Sequence, residues 1–292
     1  MNRIRTTWVI VADAAKLMRK QKLLLLFPLL HVASMAGVVA CFLSPILIGA
    51  SLIEPDRGLV DGLTSGAMTD LDWRSIRLLL LLLLAVFYLV SIFVATFINV
   101  AFYSEILNAL NGYDVSVARG LRVAIARIRA ILSWSLLAGT VGLIIRMAQE
   151  RLGSIGKWLT GFVGLSWSVA SVFVLPAIVR EDRQKSPMRY LQISAGLIKR
   201  TWGEGIIGFT GIAAVGLIVS ICTMLIVVRV VFWLNTLTAA IVGVLVIAAI
   251  IYLFVVAMQV FRCSLYVYAT EGVAPGEFDD EFFDRTWKVK QR

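Results

Sequence analysis

Histidine and cysteine are scarce in this 292-residue chain, which contains one histidine, three cysteines and six prolines. The cysteines Cys41, Cys222 and Cys263 lie inside apolar runs and form no C-x-x-C pair, so they lack the spacing of a metal or disulfide framework. The sequence also has no glycine-rich phosphate loop, no H-E-x-x-H motif and no Ser-His-Asp set. We therefore expect no catalytic residues, no metal and no cofactor, and predict that the chain is not an enzyme.

Charged residues are also sparse, at 16% of the chain, whereas hydrophobic residues make up 60% and the mean hydropathy is +0.89. Soluble domains carry about 25% charged residues, so this composition indicates a membrane protein. A helix needs about 20 apolar residues to cross a bilayer. Six runs meet or approach that length, and they predict an all-α, polytopic bundle of six transmembrane helices at 23–53, 76–101, 131–145, 158–179, 205–231 and 237–268.

The basic residues are distributed unevenly between the two sides that six spans would create. One side carries 21 of the 28 Lys and Arg residues, and the loop 54–72 on the other side is acidic. Since basic segments stay in the cytoplasm, both termini are predicted to be cytoplasmic, in a prokaryotic inner membrane. We attribute the net charge of +10 mainly to this topology and expect no nucleic-acid partner.

A basic segment precedes each pair of predicted spans, and each reads as an amphipathic interfacial helix. Val117, Leu121, Ala124, Ile125 and Ile128 form an apolar stripe in the second segment. In the third, Ser186-Pro187 marks a helix start, and an apolar face follows at Tyr190, Leu191, Ser194, Leu197 and Ile198. Cations outside these faces are predicted to contact anionic lipid headgroups: Arg119, Arg122, Arg127, Arg129, Arg189, Lys199 and Arg200.

The resulting layout is one membrane domain over residues 1–292, without a soluble domain. It comprises, in order, an interfacial helix at 1–22, a hairpin at 23–110, an interfacial helix at 111–130, a hairpin at 131–179, an interfacial helix at 180–204, a hairpin at 205–268 and a cytoplasmic tail at 269–292.

Polar residues at membrane depth are candidates for function. His31 lies in the first span, between Pro28 and Pro45. An unbroken helix is expected from Trp73 to Leu110, and it would place Glu105 near the level of Gln259 and Arg262 in the last span. We predict a Glu105–Arg262 pair, which is either a structural lock or a polar mouth where an anion competes for Arg262.

The segment 166–204 resembles the central signature of a family of uncharacterised prokaryotic six-helix integral membrane proteins. The likeness rests on Trp167-Ser168, on Pro176, on Glu181-Asp182, and on the run Lys199-Arg200-Thr201-Trp202-Gly203-Glu204. The tail Tyr268-Ala269-Thr270-Glu271-Gly272 is similar to the usual ending. A looser likeness connects the chain to the membrane domains of some glycerophosphodiester phosphodiesterases. The resemblance implies a six-helix membrane fold and leaves the function open.

Two functions remain open from the sequence. The first is a non-enzymatic membrane protein that binds anionic lipids through its basic cytoplasmic face and self-associates or scaffolds a partner protein. The alternative is a channel or transporter for a small solute, whether anionic or not. A continuous polar cavity that reaches the membrane midplane would favour this alternative, and a dry, leucine-filled bundle would not.

Overall fold

A computed structural model describes residues 3–53, 73–151, 153–181, 186–200, 217–219, 221–226, 228–229 and 237–272. These residues are almost entirely helical. A short 3-10 helix, Lys22–Leu25, joins the first two α-helices. In chain order the longer helices are α1 (Arg3–Lys20), α2 (Leu26–Ile53), α3 (Trp73–Leu110), α4 (Val117–Ala126), α5 (Ile128–Arg151), α6 (Gly153–Ala170), α7 (Val174–Arg180), α8 (Pro187–Arg200) and α9 (Leu237–Glu271).

Within the described residues, five stretches of helix are long and apolar enough to cross a membrane. They are Lys22–Pro45, Leu78–Leu110, Ile128–Arg151, Trp158–Arg180 and Ile241–Glu271. They correspond to five of the six predicted spans, and the third is longer than expected. The remaining predicted span, 205–231, lies largely outside the described residues, although Leu217–Ile226 within it is an apolar helix.

The predicted unbroken helix from Trp73 to Leu110 is confirmed as α3. At 1.5 Å per residue its 38 residues extend about 57 Å, which is longer than the roughly 30 Å apolar thickness of a bilayer. From Leu78 to Val86 its side chains are mostly exposed, with Leu79 at 65% exposure, and its last turns are buried, with Tyr103 and Ile106 at 0%. The helix therefore joins two different environments.

Burial is concentrated at one end of the molecule, which we call the core end. It is built from residues 14–27, 100–110, 130–134, 173–178, 190–197 and 256–269, which form one apolar cluster. Phe27 stacks on Phe102 with ring centroids 5.2 Å apart, and Phe173 meets Tyr266 at 5.9 Å. An ion pair between Arg180 and Glu271 joins the ends of α7 and α9. At the opposite end, α3, α6 and α9 carry many exposed apolar side chains, as helices in contact with lipid would.

The predicted fourth span is interrupted rather than continuous. Helix α6 ends at Ala170, a turn covers 171–173, and α7 begins at Val174. The backbone N–H of Phe173, buried at this turn, donates to the Ser194 hydroxyl of α8 at 2.9 Å. Because a buried backbone donor without a partner is costly, Ser194 makes this turn tolerable inside the core.

Helices occupy all three segments in which interfacial helices are predicted, namely α1, α4 and α8. The helix start at Pro187 agrees with the prediction. In α8 the expected apolar face is the face that packs on the core, with Tyr190 and Ser194 fully buried and Leu197 7% exposed. This face therefore contacts protein. The placement of the three helices at a membrane interface stays a prediction.

Candidate functional site

The end of α3 is shaped by a tight turn at Asn111-Gly112. Gly112 has φ +82°, a left-handed conformation that glycine adopts without strain, and the N–H of Tyr113 donates to the Asn108 carbonyl at 3.0 Å. The turn reverses the chain, and α4 consequently packs against the last turns of α3. The Ser116 hydroxyl caps α4 by accepting from the Arg119 backbone N–H at 3.4 Å.

Gly120 sits where α4 approaches α3 most closely. A Cβ atom at this position would lie 2.8 Å from the Ala101 carbonyl oxygen and 2.9 Å from the Cγ atom of Glu105. Only glycine fits this crossing without displacing the backbone of α3. The close approach brings the Arg119 side chain, on the neighbouring residue, within reach of the Glu105 carboxylate.

Glu105 is fully buried and accepts four hydrogen bonds. Arg119 donates two of them, from Nε to Oε1 at 2.9 Å and from Nη2 to Oε2 at 2.6 Å. The backbone N–H of Ser116 donates to Oε2 at 2.7 Å, and Asn108 Nδ2 donates to Oε1 at 3.1 Å. Arg119 is 41% exposed, and the hydrogen bond to Glu105 raises the pKa of its guanidinium. The carboxylate is thus bound on both oxygens, as in a structural ion pair.

The expected Glu105–Arg262 pair is wrong, since the acid pairs with Arg119. Arg262 Nη1 instead donates to the Tyr103 hydroxyl at 2.6 Å, and that hydroxyl donates to Oε1 of Gln259. Tyr103, Gln259 and Arg262 therefore form a polar cluster between α3 and α9. Counting depth along each span brought Arg262 to the correct level, but it could not show that the Asn111-Gly112 turn returns Arg119 to the same place.

His31 lies half-buried on α2. Its Nδ1 atom is buried and has no hydrogen-bond partner among the described residues. His31 therefore does not join Glu105, Gln259 or Arg262 in a shared site in the part of the chain that the structure describes.

The cations that were predicted to contact headgroups differ in their surroundings. Arg122, Arg129, Arg189 and Lys199 are exposed, and Arg127 is half-buried. Arg119 pairs with Glu105, and its guanidinium joins α4 to α3 at their crossing; its contact with a headgroup stays a prediction. The side chain of Arg200 lies outside the described residues.

A groove between α1 and α9 was not anticipated from the sequence. It encloses about 460 Å³ and combines an apolar lining with two cations. Its lining residues are Ala15, Met18, Arg19, Lys22, Leu25, Leu253, Phe254 and Ala257. The sequence does place Arg19 and Lys22 at the end of a basic helix, but only the contact between α1 and α9 turns these two residues into one side of a cavity.

In the part of the chain that the structure describes, the fold and these sites define an all-α protein with five candidate membrane-spanning helices, a dense core at one end and basic side chains on its surface. The chain belongs to the DUF6159 family, a family of unknown function, whose pattern matches residues 78–276. This membership agrees with the resemblance to an uncharacterised family. No curated protein and no solved structure matches the chain, so the looser likeness to glycerophosphodiester phosphodiesterase membrane domains has no support.

Proposed function

We propose that this protein is a non-enzymatic, multi-pass membrane protein that binds anionic lipid headgroups through the cations around its core end. The observation that supports this proposal most directly is that four cations are exposed on helices whose other faces pack against the core: Arg122, Arg129, Arg189 and Lys199. These cations are held on a packed scaffold instead of a loose segment. In the proposed orientation, both termini and the core end face the cytoplasm of a prokaryotic cell.

The contributions of the exposed cations to membrane binding add together. A basic side chain near an anionic membrane surface contributes about 1 kcal/mol, so four such side chains would supply a selective attraction for anionic lipid. Neither α4 nor α8 contains an acidic residue, so these two helices carry no opposing charge of their own. Glu105, the buried acid closest to α4, is already neutralised by Arg119.

The two ends of α5 provide a matched test of this proposal. Arg129 lies near its start and Arg151 at its end, about 33 Å apart along the helix, which is close to the thickness of the apolar membrane core. The variant R122E/R129E reverses two charges at the core end, and R146E/R151E reverses two exposed charges at the other end.

Each protein would be reconstituted in bilayers that contain equal amounts of phosphatidylglycerol and phosphatidylcholine. It would then be extracted and purified, and the lipid that co-purifies with it would be quantified. We expect anionic lipid to be enriched by the natural chain and by R146E/R151E, and the enrichment to be lost in R122E/R129E. Equal enrichment in all three proteins would contradict the proposal.

Self-association is the second part of the proposal. Apolar side chains on α3, α6 and α9 are exposed at the end opposite the core, and a second copy could cover part of this surface in place of lipid. Native mass spectrometry of protein released from lipid nanodiscs would give the subunit number directly. A uniform monomer at all protein concentrations would refute this part and leave lipid binding intact.

Transport of a small anionic solute is the alternative function. It depends on a continuous polar cavity that reaches the middle of the membrane. The groove between α1 and α9 is lined largely by apolar side chains, which favours a lipid over a hydrophilic solute.

A further inference from the structure

We infer that the groove between α1 and α9 is a specific site for one anionic glycerophospholipid, with an acyl chain in the groove and the phosphate between Arg19 and Lys22. The inference rests on the proposed function and deepens it, because it separates one bound lipid from the general attraction of the basic surface. The groove lies on different helices from the four exposed cations on α4, α5 and α8.

The size and lining of the groove suit an acyl chain. A volume of about 460 Å³ falls within the roughly 300–1,000 Å³ typical of small-molecule sites. Ala257 at its floor is 3% exposed, and Met18 is 9% exposed. Leu253, one helical turn from Ala257 on α9, is 46% exposed, so the groove opens onto the apolar surface of that helix. An acyl chain could thus enter from the bilayer without crossing a polar region.

The charge of the groove suits a phosphate. Arg19 and Lys22 are exposed, and neither has an ion-pair partner among the residues that the structure describes. Lys22 is also the first residue of a candidate membrane span, which is the level at which headgroups lie. The adjacent cation Lys16, by contrast, is paired with Asp13 at 2.9 Å.

The corner that carries these cations is fixed to the rest of the core end. Gln21, between Lys20 and Lys22, accepts a hydrogen bond from the Val115 N–H at 3.3 Å and donates to Asp114 at 3.4 Å. The two cations are therefore presented by an anchored corner, so binding a phosphate would order little more than their own side chains. Such preorganisation favours a discrete site.

The test uses native mass spectrometry of the protein from nanodiscs of equal phosphatidylglycerol and phosphatidylcholine. One readout is the number and type of lipids that stay bound to the protein after mild collisional activation. The other is the overall composition of the lipid that co-purifies with the protein. The variant R19Q/K22Q removes two charges from the groove, and R122Q/R129Q removes two from the exposed surface as a matched control. The variant A15F fills the groove without changing its charge. If A15F does not fold, L253W serves the same purpose, because Leu253 is more exposed and a larger side chain there disturbs the core less.

We expect one phosphatidylglycerol per chain to be retained by the natural protein and by R122Q/R129Q. Its affinity should fall about 30-fold in R19Q/K22Q, as the loss of two headgroup contacts implies, and retention should also be lost when the groove is filled. The groove site would be overturned if no single lipid is retained, or if filling the groove does not change the retention. In either case, continued enrichment of anionic lipid in the bulk composition would still support the proposed function. Loss of bulk enrichment alone, with the single lipid retained, would overturn the general proposal and keep this site.

Discussion

Replacing Arg119 with methionine should destabilise the protein far more than its partly exposed position suggests. The change leaves the Glu105 carboxylate fully buried without its cation, and it removes two of the four hydrogen bonds that this carboxylate accepts. Breaking a buried ion pair by removing one partner costs about 3–5 kcal/mol. At about 2.1 cal/mol/K per residue, the unfolding entropy of 292 residues is about 0.6 kcal/mol/K, so a loss of about 3–5 kcal/mol corresponds to a fall in Tm of about 5–8 °C.

The buried charge, and not the lost packing, should account for most of this effect. In the double variant R119M/E105Q the charge is absent, the Ser116 N–H still meets an amide oxygen, and the Asn108 amide can rotate to accept from the glutamine. The double variant should therefore be more stable than R119M alone by about 1–2 kcal/mol. The stability regained in the double variant is therefore the most specific test of the Glu105–Arg119 ion pair.

Thermal unfolding in detergent micelles, followed by tryptophan fluorescence, would measure these differences. Trp134 stacks on Trp167 with ring centroids 5.8 Å apart, so their emission reports on the packed region. R122M serves as the control because Arg122 is an exposed arginine of the same helix, and its Tm should change by about 2 °C or less. If R119M is no more harmful than R122M, or if E105Q further destabilises R119M, the reasoning about Glu105 is refuted.

Three further substitutions test other contacts by the same unfolding measurement. G120A should cost about 1–3 kcal/mol because its Cβ would meet a backbone carbonyl at 2.8 Å, whereas G196A, with nothing within 4 Å, should be neutral or stabilising by up to about 1 kcal/mol; equal effects would contradict the close crossing. S194A should cost about 1–3 kcal/mol by leaving the Phe173 N–H unpaired, and no change in Tm would mean that another group satisfies it. Y103F should cost a similar amount by separating Arg262 from Gln259, and an unchanged Tm would show that this cluster adds no stability.

The features that could be predicted from the sequence are those that depend on one stretch of chain. The unbroken helix Trp73–Leu110 follows from an apolar run without proline, and the start of α8 follows from Ser186-Pro187. The face of α8 with Tyr190, Ser194 and Leu197 follows from helical spacing. That spacing could not show what the face contacts, and the structure packs it on protein.

The features that escaped prediction depend on where the chain returns. Pro176 marks a break near this turn in the sequence, because its ring excludes a helical hydrogen bond to the Val172 carbonyl. The support of the turn by Ser194, from another helix, has no such local signal. The α1–α9 groove joins residues more than 230 positions apart, so no local pattern contains it.

The sequence by itself determined that this is an all-α chain with helices long and apolar enough to span a membrane, because hydropathy and helical period are properties of consecutive residues. Only the tertiary structure decided the partners of the polar groups. Glu105 and Arg262 lie at similar depths, yet the turn at Gly112 and the close crossing at Gly120 bring Arg119 to the acid instead. Hydrogen bonds act over about 3 Å, and knowledge of depth along a helix fixes only one of the three coordinates that such a contact requires.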